Sequence, residues 1–168
     1  MKTTIARILA LTLSLAALPA SAHEGHATAS SLVAGLAHPF MGLDHLLAML
    51  GIGMWSRRQE QPLALPVTFL AMMAAGALLQ GDFLAAEGWI LASVVAVGLL
   101  LFAARMPGWG AIAVVGLFGF LHGQVHGHEL PGLPSAAGYL TASAALLAGG
   151  LALCLAYPLS TPRSKTGT

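Results

Sequence analysis

The stretch His38-Pro39-Phe40-Met41-Gly42-Leu43-Asp44-His45 opens an apolar run that continues to Trp55. Two imidazoles and a carboxylate in so hydrophobic a segment decide how the chain is read. An ionisable group at the centre of a lipid bilayer costs roughly 2.5–3.5 kcal/mol or more unless it is paired, hydrated or bound to an ion, so such residues mark functional sites. A second cluster, His122-Gly123-Gln124-Val125-His126-Gly127-His128-Glu129, closes another apolar run. The fold must explain both clusters, and must say whether they meet.

Composition points to a membrane. The 168 residues are 57% hydrophobic and 8% charged, with a mean hydropathy of +0.82. Soluble domains carry about a quarter charged residues. The deficit extends along nearly the whole chain, which favours one membrane domain. A formal net charge of +1 and the lack of a basic run argue against nucleic-acid binding. The one cysteine, Cys154, excludes an intramolecular disulfide and a multi-thiolate zinc or iron–sulfur site.

Residues 1–22 have the form of a secretory signal, with Lys2 and Arg7 before an apolar stretch and Ala20-Ser21-Ala22 as the cleavage site. That apolar stretch is short for a membrane span. Cleavage would leave a mature chain beginning His23-Glu24-Gly25-His26. Five further apolar segments follow, at about 31–55, 63–79, 84–104, 109–126 and 135–157, six in all with the signal. Each of the five has the ~17–25 residues that cross the hydrocarbon layer. The expected fold is an all-α integral membrane protein: a five-helix transmembrane domain over 23–159 and a disordered polar tail over 160–168. Pro39 is expected to start or kink the first of these helices. The alternating pattern of an outer-membrane barrel is absent.

Charge gives an orientation. With the mature amino terminus outside, Arg57, Arg58, Arg105, Arg163 and Lys165 all fall on the cytoplasmic side, the positive-inside pattern. All seven histidines then fall at the outer face or in the outer half of the membrane, with Glu24, Asp44, Asp82, Glu87 and Glu129. A chelating site facing the periplasm predicts this sidedness.

Spacing narrows the chemistry. His38 and His45 are seven residues apart, about 10 Å along a straight helix. They can share an ion only if the helix breaks, or if ligands come from elsewhere. Asp44 can ligate or can orient a neighbouring imidazole. Met41 and Met49 flank His45 at four residues either side, although methionine in an apolar helix is usually packing. His122 and His126, at i and i+4, stack on one helical face, and His128 and Glu129 lie where the helix is expected to fray. Gly119, Gly123 and Gly127 form an adjacent stripe of small residues, the kind of surface on which another helix packs closely. Placing the first span on that stripe would bring Asp44 and His45 towards His122 and His126. Imidazole and carboxylate suit Ni(II), Co(II), Zn(II) or Cu(II), and a free amine beside His23 and His26 would add a tetragonal Ni(II) or Cu(II) ligand set. The alternative is that the histidines are polar contacts between helices.

His38-Pro39-x-x-Gly42-x-Asp44-His45, followed by Met49, Gly51-x-Gly53 and Trp55, resembles the first motif of the HupE/UreJ family of nickel/cobalt permeases. His122-Gly123-x-x-His126-Gly127-x-Glu129 is similar to the second. The resemblance implies uptake of Ni2+ or Co2+ across the bacterial inner membrane for urease or [NiFe] hydrogenase maturation. It carries His38, Asp44, His45, His122, His126 and Glu129 as metal-site positions, and His23, His26 and His128 less directly. The expected partners are the lipid bilayer, the divalent metal as cargo and further copies of the chain. No prosthetic group, nucleic acid or catalytic activity is expected. Two rival classes remain: an intramembrane zinc hydrolase using the same histidines, with Asp44 or Glu129 as base, and a structural membrane subunit. The segments hold no helix-borne H-E-x-x-H motif.

Overall fold

The computed structural model describes residues 30–59, 62–79, 86–100, 106–129 and 132–156. The signal segment, Glu24, the His23/His26 terminus, Asp82, Arg105 and the tail lie outside the described residues, as do the side chains of Glu87 and His128. Six helices and no strand are found among the described residues: α1 (Leu32–Met41), α2 (Leu43–Ser56), α3 (Ala64–Leu78), α4 (Ala86–Leu100), α5 (Gly108–Glu129) and α6 (Leu133–Ala156). Each carries at least one exposed large apolar side chain, among them Leu32, Leu43, Val67, Leu99, Leu117 and Leu155. Helices that are apolar outside as well as inside suit lipid rather than water. Two of them, over Gly108–Gly127 and Leu133–Leu155, are long and apolar enough to cross a membrane. The α1–α2 pair adds a third if it is counted as one broken span. The apolar helices Ala64–Leu78 and Gly88–Leu100 are shorter.

The first expected span is broken, and not where proline predicted. Ser31 Oγ caps α1 by accepting from the Ala34 N–H at 3.1 Å. Pro39 sits buried inside α1 rather than at its start. It removes the N–H that would pair with the Gly35 carbonyl, yet α1 continues to Met41. The chain turns at Gly42, which is extended (φ −104°, ψ 121°), and α2 leaves at 84° to α1. The break separates Met41, exposed at 60%, from Met49, which is fully buried. The two methionines therefore do not flank His45 on one face.

The glycine stripe has a different partner from the one expected. Gly119 lies against the Phe69 carbonyl and Gly123 against the Met73 carbonyl, so the stripe packs on α3 and not on the first span. The broken pair packs instead on α6, where Gly35 and Gly138 bring backbones together beside α1, and Gly53 and Gly150 do so beside α2. Met49, Ile52, Trp55, Phe69, Met73, Val115 and Leu147 fill the core between the two assemblies. Helix α5 also does not fray at His126: it runs through Glu129. That places Glu129 one turn beyond His126, on the same face.

Candidate metal centre

The 84° break makes the site. It brings His38, in the last turn of α1, to within 5.8 Å of His45, in the first turn of α2, measured between ring centroids. A straight helix would hold them about 10 Å apart along its axis. His126 reaches the same point from α5, with its ring 4.7 Å from His38 and 4.4 Å from His45. One ligand nitrogen from each of His38, His45 and His126 can be chosen so that all three lie within 4.8 Å of one another. His45 and His126 are buried, and the His38 side chain is 11% exposed.

Two carboxylates set the direction of the rings. Asp44, in the first turn of α2, accepts from the His45 backbone N–H at 2.9 Å and from its Nδ1–H at 3.0 Å with one oxygen, Oδ1. A carboxylate there also complements the positive end of the helix. Glu129 Oε2 accepts from the His126 Nδ1–H at 2.7 Å and lies 3.4 Å from His38 Nε2. His38 Nε2 is also 3.0 Å from His126 Nδ1. An ionised carboxylate only accepts, so both imidazoles carry their proton on Nδ1 and keep a lone pair on Nε2. The Nε2 atoms of His45 and His126 face each other within hydrogen-bonding range. Two lone pairs aimed at one point are stabilised by a cation between them. Imidazole whose second nitrogen donates to a carboxylate is the usual form of a metal-binding histidine.

His122 is buried one turn before His126, and its Nδ1–H donates to the Phe118 carbonyl at 2.8 Å. Its ring is 5.5 Å from His45, 5.4 Å from Phe69 and 6.3 Å from His126. It therefore stands beside the three-histidine cluster rather than in it.

Two contributors were not read from the sequence. Tyr139 of α6 packs its ring 4.8 Å from His126 and 5.7 Å from His38, forming a wall of the site. Its signal was slight: one of two tyrosines, in the last apolar segment. Gln124 lies inside the second motif, between the two histidines. It donates through Nε2 to the Gly76 and Leu79 carbonyls, at 3.1 and 2.7 Å. Those contacts tie the histidine-bearing turn of α5 to the end of α3, where helical carbonyls have no partner of their own.

Fold and site together define a helical membrane protein whose imidazoles and carboxylates converge at a break between helices. The HupE / UreJ protein profile matches residues 11–166. Protein HupE of Rhizobium leguminosarum bv. viciae is 39% identical over 136 residues, which is 77% of this chain and 71% of the relative. No solved structure matches. The chain belongs to the HupE/UreJ family.

Proposed function

We propose that this protein is a secondary permease that takes up Ni2+, or Co2+, across the bacterial inner membrane. The observation that carries the reading is the pair of carboxylate-anchored imidazoles, His45 on Asp44 and His126 on Glu129, that turn their Nε2 lone pairs on each other beside His38. Nitrogen and carboxylate donors without thiolate suit a borderline divalent ion. In this reading His38, His45 and His126 strip part of the ion's hydration shell, while Asp44 and Glu129 hold the rings and offset the charge. Asp44 is engaged twice by His45, which fits an orienting carboxylate better than a free general base, and so supports transport over hydrolysis.

The finer topology belongs to the same proposal: a cleaved signal, five spans, the site towards the periplasm and the tail in the cytoplasm. The positive-inside distribution of arginine and lysine supports it. Urease or [NiFe] hydrogenase maturation is the destination of the metal. Inward release calls for weaker sites than the entry site. Of the softer donors the sequence offers for that step, Cys154 is buried and Met54 part-buried, Met72 is 37% exposed, and Met73 lies against Gly123, level with the histidines.

The test is nickel and cobalt accumulation in cells that lack their own high-affinity uptake. Wild type is expected to restore accumulation, and Asp44→Ala, His45→Ala and His126→Ala are expected to abolish it at equal protein level. Accumulation unchanged in all three variants would remove the site assignment. No accumulation of any divalent metal with wild type would remove the permease.

A further inference from the structure

We infer that His122 is a second, inward coordination position for the transported ion, shared with His45 and entered after the three-histidine cluster. The inference rests on the permease reading and gives the ion its first step.

The geometry begins with a hydrogen bond. The Phe118 carbonyl can only accept, so the bond at 2.8 Å fixes the His122 proton on Nδ1. Nε2 keeps its lone pair, and that atom is buried with no hydrogen-bond partner among the described residues. Buried polar atoms without partners are rare, and each calls for an explanation. The one hydrogen bond of the His122 side chain runs back to its own helix, so it does not join two helices. Here one nitrogen holds the ring and the other is left as a ligand.

The neighbours define where that ligand acts. Two imidazoles that bind one first-row ion at about 2 Å per nitrogen, about 90–120° apart, place their centroids roughly 4.5–5.5 Å apart. His45 and His122 are 5.5 Å apart, edge to face. His122 and His126 are four residues apart on α5, a step of about 6 Å along the helix axis and towards its amino-terminal end. His45 thus stands between two positions, with His126 on one side and His122 on the other, and Phe69 walls off the deeper one. An ion can form its bond to His122 Nε2 as the bonds to His38 and His126 break, and keep His45 throughout. No proton has to leave, because the accepting nitrogen carries none. Closely spaced sites that share a ligand permit entry without trapping the ion.

The full chain, purified and reconstituted, tests this with Ni2+ as the probe. His122→Asn keeps an N–H near the Nδ1 position for the Phe118 carbonyl and removes the ring lone pair, and His122→Phe keeps the ring volume without a ligand. Thermal unfolding of both variants identifies the one that retains the fold. The expected result is equilibrium Ni2+ affinity within about twofold of wild type and uptake into proteoliposomes slowed by about tenfold or more, the size of effect that loss of a ligand-supporting group produces. Wild-type uptake rates in a folded variant would overturn the inference. So would loss of equilibrium binding in the folded variants, which would make His122 part of the entry site or its scaffold. A wild-type protein that neither binds nor transports Ni2+ would instead overturn the permease reading, and this inference with it.

Discussion

Replacing Asp44 by alanine removes an anchor and no proposed ligand, so its effect measures how far the site depends on ring orientation. Asp44 Oδ1 accepts from the His45 backbone N–H at 2.9 Å and from Nδ1–H at 3.0 Å. Without it the imidazole can rotate and can carry its proton on Nε2, the atom that faces His126. Loss of such a carboxylate typically weakens metal affinity by about 10- to 100-fold, or roughly 1.4–2.7 kcal/mol. Asp44→Asn keeps an acceptor oxygen but loses the charge that makes the bond about twice as strong, so its affinity should fall between wild type and Asp44→Ala. His45→Ala removes a ligand outright and should be the weakest of the set. Calorimetric titration of Ni2+ into protein in nanodiscs, with circular dichroism as a fold control, gives the ranking. Wild-type affinity in Asp44→Ala would refute the orienting role. An Asp44→Asn protein as weak as His45→Ala would make Asp44 a direct ligand.

Three stability effects follow from the helix contacts. Gly123→Ala would push a methyl group into the Met73 carbonyl, and should cost about 1–3 kcal/mol by overpacking; an unchanged unfolding midpoint would mean that α3 and α5 separate freely. Gln124→Leu removes both donors to the end of α3 and should destabilise by about 1–3 kcal/mol through the carbonyls left behind, read by denaturant unfolding in micelles. Ser31→Ala removes the α1 cap. It should cost about 1 kcal/mol, seen as faster amide exchange in the first turn of α1 with the core unchanged.

The meeting of the two motifs was legible because the chemistry demanded it. Histidines and acids in apolar segments need partners, and each cluster was the other's nearest candidate. The seven-residue spacing of His38 and His45 likewise required a break. Its position was not legible: Pro39 costs α1 one hydrogen bond but leaves its helical φ intact, so the turn falls three residues later, at Gly42. The glycine stripe announced a close helix contact without naming the partner, since any helix backbone can lie on it. α3 took that place, and the histidine face beside the stripe met the broken pair instead. The extension of α5 through Glu129 was not legible, because glycine is a weak helix former and the sequence does not show that Gly123 is held against the Met73 carbonyl. Tyr139 and Gln124 carry no periodic signal, because their roles depend on which helices become neighbours.

X-ray absorption at the nickel edge of the Ni2+-loaded protein counts the imidazoles on the ion. Capture by His38, His45 and His126 gives a nitrogen/oxygen shell at about 2 Å with the outer-shell scattering of three imidazoles and no sulfur, and one imidazole fewer in His38→Ala. A spectrum of hydrated Ni2+, a sulfur shell, or an unaltered imidazole count in His38→Ala would contradict it.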